Sequence, residues 1–502
     1  MSVYQTIARN TYWSALSTVG GLVMGLITSI VLARSLGAPV LGQYNYWLWL
    51  IGLLALIASP GLPQAMTKFG AEYLGREDRE TASAIFARLL RIELVLGALV
   101  GGIVLLYTLI VPSSDTAALA LVAFSVLFLV VELFLLAAAK GALDFRIFSQ
   151  ASLIGGFLYG AAAIAIVSLG YGIYPLLLAY IGRRIVTILL IGWKLPDHYT
   201  AWSTETLTLL PELRHRIIRY SRDVVLIFAT TAIPYERLGV FFLKLFASDV
   251  DIAYYSQSFD LAVKSMAIPA IFTATLLPTF ASLQGQDDRE RIERVYLSSN
   301  RIAAAIAMPI GLGGAAVASS FALLYGPEFL AMAPILAIFF VGSIAGAMAT
   351  VSVSLLYSLE EQSYIVRLNA VVALVNIALS LLLVPSFGAT GAALATCVSH
   401  TASSAMLMAY AARRLQVVLP FQVLGRILVA ALTAGLAAWL ISMWLGGLVV
   451  AFAAGLLIYP VMLRAVAALD ESDRRLLGRL SQHLPQSLAP AYQNLVSFLV
   501  RS

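Results

Sequence analysis

Apolar runs of about 20 residues recur along this chain, each closed by a short polar or glycine- and proline-containing stretch. A bilayer core of about 30 Å is crossed by roughly 20 helical residues. The runs lack the alternating in–out pattern of a membrane barrel. They predict an all-α integral membrane protein of about 14 transmembrane helices. The first seven are read at residues 11–33, 46–66, 89–111, 117–139, 152–169, 173–193 and 224–246. The second seven are read at 254–281, 302–325, 333–357, 368–384, 391–411, 423–443 and 448–463. The final stretch, 469–502, mixes Arg474 and Arg475 with Leu476, Leu477, Leu480 and Leu484, and is read as an amphipathic helix lying on the membrane surface.

Composition sharpens this picture. Of the 502 residues 61% are hydrophobic and only 12% charged, with mean hydropathy +0.91. A soluble protein is roughly one-quarter charged, so soluble enzymes, nucleic-acid binders and disordered scaffolds are excluded. The single cysteine, Cys397, excludes an internal disulfide and a thiolate metal cluster. The first apolar run lacks a small-residue cleavage site and is read as a retained span.

The net charge of +6 is spread over short loops. With the N-terminus inside, one set of alternate connections carries Lys68, Arg76, Arg79, Arg88 and Arg91, then Lys140 and Arg146, then Lys194 and Arg214 to Arg222. The same side receives Arg289 to Arg294, Arg367, Arg413, Arg414, Arg426 and Arg464 to Arg479, whereas the other holds only Arg34 and Lys244. The positive-inside rule therefore places both termini in the cytoplasm.

The chain also repeats itself. At an offset of 210, Gly75-Arg76-Glu77-Asp78-Arg79-Glu80 lies over Gly285-Gln286-Asp287-Asp288-Arg289-Glu290, and Arg34 falls on Lys244. At an offset of 216, residues 172–179 resemble residues 388–395. Two parallel six-helix lobes are expected, with a substrate path between them and two extra C-terminal helices. The boundaries are 1–194 for the first lobe, 195–222 for a cytoplasmic linker, 223–415 for the second lobe and 416–468 for the last two spans, before the tail at 469–502.

Charges within spans are costly and mark function. Arg183 and Arg184 sit mid-span and point about 100° apart, so only one faces a lobe interface squarely. With Arg237 they are too deep to reach the surface, and they suggest a wet cationic cavity for an anion. Arg34, Lys244, Asp260, Lys264 and Arg301 are gate or cavity candidates, although Asp260 and Lys264, one turn apart, can neutralise each other. Glu132 is either an arginine's partner or an ion-coupling carboxylate. His400 is either an interhelical hydrogen-bonding group or an ion-coupling one. The spacings Gly21-x3-Gly25, Gly97-x3-Gly101 and Gly156-x3-Gly160 predict close helix packing. No phosphate-binding loop, metal cluster or nucleophile–base pair is found, so no enzyme, metal or cofactor is expected.

Diffuse patterns carry a family likeness. They include Ala33-Arg34-Ser35-Leu36-Gly37 with Gly42 and Tyr44, Gly61-Leu62-Pro63 with Glu72-Tyr73-Leu74-Gly75, and Ala253-Tyr254-Tyr255-Ser256. Leu324-Tyr325-Gly326-Pro327-Glu328-Phe329 and Phe387-Gly388-Ala389-Thr390-Gly391 add to them. The chain thereby resembles the oligosaccharide (O-antigen, Wzx-type) flippases of the multidrug/oligosaccharidyl-lipid/polysaccharide exporter superfamily. The resemblance implies a monomeric inner-membrane carrier that moves a polyprenyl-(pyro)phosphate-linked oligosaccharide to the outer leaflet by alternating access. Its partners would be the lipid-linked glycan, membrane lipids and glycan-assembly enzymes, with no nucleic acid. Arg183, Arg184 and Arg237 are the expected phosphate or glycan contacts, since guanidinium groups bind phosphate in a bidentate manner. A multidrug or cation antiporter of the same fold, or a lipid scramblase, is the alternative. The first two spans contain no carboxylate, which counts against the antiporter.

Overall fold

The computed structural model describes residues 3–111, 115–195, 198–199, 211–232, 238–273, 276–445, 447–467 and 497. The expected tail at 469–502 therefore lies, apart from Ser497, outside the described residues. Among the described residues the chain is helical throughout, with no strand.

In chain order the helices are α1 (Val3–Ala58), α2 (Leu62–Gly75), α3 (Arg79–Ile110), α4 (Thr116–Gly141), α5 (Phe145–Ser168), α6 (Ile173–Lys194) and α7 (Pro211–Ala232). There follow α8 (Leu238–Phe246), α9 (Asp249–Ser265), α10 (Ala267–Thr273), α11 (Leu276–Gly285), α12 (Arg289–Ala316) and α13 (Ala318–Tyr325). A 3-10 turn, Pro327–Met332, leads into α14 (Ala333–Ser358), α15 (Gln362–Leu415), α16 (Phe421–Leu445) and α17 (Leu448–Ala465).

Nine described helical stretches are long and apolar enough to cross a membrane, or ten if α12 and α13, bent by 64°, form one span. Two of them, at 43 and 54 residues, exceed one crossing by length. They break where glycine adopts positive φ, at Gly37 (73°) in α1 and Gly388 (50°) in α15. Each is thus two crossings joined by a tight bend. The sequence reading and the structure differ at 224–246, whose described part is the end of α7 plus the short α8, and at 254–281. The latter is three helices, α9 to α11. Met266, in a capping turn, closes the first of these, and Pro269 and Pro278 each remove an amide donor just beyond. The count of fourteen is therefore not reproduced among the described residues. The surface is apolar where lipid would lie, with Leu109, Trp193, Trp444 and Val449 all at least 80% exposed.

The repeat is visible in the turns. After α2, α4, α11 and α14 the chain places a non-glycine residue at positive φ: Glu77 (62°), Leu143 (57°), Asp287 (53°) and Glu360 (59°). In each case the following residue donates its N–H to the carbonyl five positions back: Asp78 to Tyr73, Asp144 to Ala139, Asp288 to Leu283 and Glu361 to Leu356. This is a Schellman-type close. In three of the four the residue then caps the next helix: Asp78 accepts from the Thr81 N–H at 3.0 Å, Asp144 from Ile147 at 3.0 Å and Asp288 from Arg291 at 3.1 Å. The second pair of turns is more widely spaced than the first. The extra residues fall in the bent stretch from α13 through the 3-10 turn.

The chain divides into two compact units, Met1–Ile233 and Pro234–Ser502. In the first, Met66, Phe69, Phe86, Phe134 and Tyr199 centre the core, and α7 packs on α2 through Leu213 and Ile217. The stretch read as linker at 195–222 therefore includes the first half of a helix belonging to this unit. In the second unit, Phe280, Tyr296, Leu355 and Leu356 lie at the centre. There α16 and α17 pack together and against α12, where the Tyr459 hydroxyl donates to the Ala305 carbonyl at 2.7 Å.

Candidate functional site

Close approach of α5 and α6 builds the site in the first unit. Gly155 on α5 faces Thr187 and Arg183 on α6, and a methyl group there would strike the Thr187 hydroxyl. One turn farther along, Gly160 leaves room for Met24 and Thr28 of α1. Gly97 and Gly101 likewise admit α4, the latter with an added Cβ only 2.9 Å from the Ala123 carbonyl. Among the described residues nothing lies within 4 Å of a Cβ added at Gly21, Gly25 or Gly156, so no close packing is seen there at those three.

These contacts bring four helices to one polar cluster. Arg184 on α6 is 8% exposed and pairs with Glu132 on α4, itself 1% exposed. It also donates to the Tyr180 hydroxyl one turn earlier, and its guanidinium lies 4.5 Å from the centre of that ring. The Tyr180 ring meets Tyr159 of α5 edge to face at 6.1 Å. The Tyr159 hydroxyl is hydrogen-bonded to that of Tyr44, in the second half of α1. Arg183 is different. It is half-buried and no carboxylate pairs with it among the described residues; the buried Nε of each arginine lacks a hydrogen-bond partner there.

The two adjacent arginines thus have different surroundings. Arg184 is neutralised and held; Arg183 has no such carboxylate and lies within electrostatic reach of Tyr44, Tyr159 and Tyr180. A guanidinium with open donors suits a phosphate or carboxylate oxygen. Tyrosine offers an apolar face and a polar tip, matching a glycan that is part C–H and part hydroxyl.

The other expected residues are dispersed. Arg237 lies outside the described residues. Arg34 is exposed three residues before the Gly37 bend. Lys244 pairs with Asp249 at 2.9 Å, and Lys264 with Asp260 at 2.9 Å. Arg301 is half-buried on α12. The His400 ring packs against Gly346 of α14. Among the described residues no group of acids, histidines and cysteine could hold a metal ion.

Sequence reasoning passed over Glu93. It is fully buried on α3 and accepts a hydrogen bond from the Ser59 hydroxyl at 2.6 Å, while Oε2 has no partner among the described residues. Its signal was plain: it is the sole acid between Glu80 and Asp115. The tyrosines had no such signal, since aromatic residues within apolar runs are usually packing groups.

The family model of the polysaccharide biosynthesis proteins matches residues 7–284, more than half of the chain. The chain belongs to the polysaccharide biosynthesis protein family. A second model, that of the lipid II flippase MurJ, matches residues 226–458 of this family member. Among curated relatives, the probable low-salt glycan biosynthesis flippase Agl15 of Haloferax volcanii is 21% identical over 80% of this chain and 82% of its own length. The probable flippase AglR of the same organism is 24% identical over 39% of this chain, a match spanning only 42% of AglR. Solved structures share the fold. MurJ in an inward closed conformation covers 89% of this chain and 97% of its own, with TM-score 0.69 at 14% identity. An inward-facing multidrug resistance transporter of the MATE family covers 79% and 94%, with TM-score 0.64 at 16% identity. The polysaccharide biosynthesis protein described here is therefore a multi-pass, all-helical membrane protein with a transporter fold.

Proposed function

We propose that this protein is a flippase for a polyprenyl-(pyro)phosphate-linked oligosaccharide, moving it from the cytoplasmic to the outer leaflet of the inner membrane by alternating access. The observation that carries this reading is Arg183, a mid-span guanidinium without a carboxylate partner among the described residues, beside the Tyr44–Tyr159–Tyr180 group. An unpaired cation costs a few kcal/mol in a span, and an arriving phosphate offsets that cost only while bound. Arg183 contacts the phosphate or the first sugars, with Arg237 as a second cationic contact, and the half-buried Tyr159 and Tyr180 flank the glycan, backed by the buried Tyr44. Arg184 holds α6 to α4. Arg34, Lys244, Asp260, Lys264 and Arg301 serve the path or its ends rather than the central contact. The lipid tail stays in the bilayer, and the membrane potential contributes about 2.3 kcal/mol per charge per 100 mV. Both termini are cytoplasmic, the carrier acts as a monomer, and glycan-assembly enzymes supply its cargo.

The test is export of lipid-linked glycan by Arg183→Gln and Arg183→Lys variants with membrane insertion verified. Loss of export in the first and partial retention in the second is expected. Wild-type export in Arg183→Gln refutes the reading. One observation favours a second reading, a multidrug or cation antiporter of the same fold: the buried Glu93, one of whose carboxylate oxygens has no partner among the described residues. That reading requires Glu93→Gln to abolish drug efflux while glycan export is absent from the wild type.

A further inference from the structure

A second feature lies away from the Arg183 cluster, where α7 passes α3. A groove of about 520 Å³ opens there, with Arg88 and Ile92 on one wall and Arg214, Ile218, Ser221 and Arg222 on the other. On α7 the residues alternate in function by position. Arg214, Ile218 and Arg222 form an exposed stripe, and Leu213, Ile217 and Ser221, each one place earlier, form a buried one, of which Ile217 and Ser221 line the floor of the groove. Neither Arg88 nor Arg214 has an acidic partner among the described residues; Arg222 pairs with its neighbour Asp223 at 2.9 Å. Ser221 is 8% exposed, and its buried hydroxyl has no hydrogen-bond partner among the described residues. Basic groups thus ring an apolar trough that also holds an unsatisfied hydroxyl. From Ile92 the exposed apolar face of α3 continues through Val95 (66% exposed) and Leu99 (57%) into the span.

We propose that this groove binds one anionic phospholipid of the leaflet adjoining the arginine-rich ends of the helices. Its phosphodiester meets Arg88, Arg214 and Arg222 and accepts from Ser221. One acyl chain lies in the trough and runs along the Ile92–Val95–Leu99 face. The apolar continuation rejects a free phosphate ion, which would gain nothing from it. The three arginines reject a zwitterionic lipid, whose own ammonium would meet them. This site does not depend on Arg183 or on the cargo, and its readout is lipid occupancy rather than export.

The test is native mass spectrometry of the full chain, delipidated in detergent and titrated separately with phosphatidylglycerol, phosphatidylcholine, inorganic phosphate and undecaprenyl phosphate. One phosphatidylglycerol should bind at least tenfold tighter than phosphatidylcholine. That preference should vanish in Arg88→Gln/Arg214→Gln/Arg222→Gln, weaken several-fold in Ser221→Ala, and stay intact in Arg219→Gln, whose exposed side chain does not line the groove. Ser221→Ala leaves every charge in place, so it reports on the groove even if the triple variant misfolds. Equal binding of the two phospholipids overturns the proposal. So does displacement of phosphatidylglycerol by inorganic phosphate, or tenfold tighter binding of undecaprenyl phosphate, which would make the groove a substrate entry.

Discussion

Separating the duties of two adjacent arginines yields a prediction that a stability assay and a transport assay should answer in opposite ways. Glu132→Gln removes the charge that neutralises Arg184 where both groups are nearly inaccessible, at 1% and 8% exposure. Removing one partner of a buried pair costs about 3–5 kcal/mol, mainly because the other charge is left uncompensated. Tyr180 still accepts from the guanidinium and still lies beneath it at 4.5 Å. The loss should therefore sit near the lower end, about 3 kcal/mol. Arg183→Gln removes a charge with no carboxylate partner, whose place in the span is itself costly, so the variant should be no less stable than wild type.

Thermal unfolding of the purified proteins in one detergent provides the first measurement, and glycan export from cells or inverted vesicles the second. Glu132→Gln should unfold well below wild type, whereas Arg183→Gln should unfold near wild type yet export at least tenfold less. Replacing both members, Glu132→Gln with Arg184→Met, should recover much of the stability lost by Glu132→Gln, since neither charge is then buried alone. Equal destabilisation by Arg183→Gln and Glu132→Gln would refute the division of labour. Normal export by a well-folded Arg183→Gln would leave Arg183 without a role.

Three further outcomes follow from the geometry. Ser59→Ala should cost about 1–3 kcal/mol in thermal unfolding, because it strips Glu93 of its only donor among the described residues; Glu93→Gln, which preserves an acceptor for Ser59, should cost less, and the reverse order would sink this reading. Asp78→Ala should cost about 1 kcal/mol at neutral pH by uncapping α3. The Thr81 backbone N–H holds the Asp78 carboxyl below its usual range, so its contribution is present above the unfolded value near 3.9 and fades as pH falls through the folded one; the gap between wild type and variant should be flat from pH 8 to 5 and close below about pH 4. Gly388→Ala should destabilise by about 2 kcal/mol or more, because φ is 50° and the new Cβ would lie 2.6 Å from Asp251 Oδ1; an unchanged melting curve would contradict that bend.

What the chain reveals on paper and what it withholds divide along one physical line. Period and capping are local, so α3 to α6 and the turns after α2 and α11 could be read from residues a few places apart, and the repeated Gly-x-x-Asp-Arg-Glu pattern folds into the same turn twice. The bend at Gly388 falls in the break read between the spans at 368–384 and 391–411, marked by Pro385 and the glycine. What fixes it is Asp251, whose carboxylate accepts from the Ala389 N–H at 3.0 Å across 138 positions. Nor could sequence alone say which of Arg183 and Arg184 is neutralised, because Glu132 stands 52 residues earlier and its alignment depends on how α4 and α6 rotate against each other. The 100° between neighbours on a helix is enough to give one arginine a carboxylate and the other none. A one-residue change in helical register would exchange their roles. Inserting one alanine into α6 ahead of Arg183 should therefore move the paired position to the preceding arginine, and Glu132→Gln in that background should expose its charge instead.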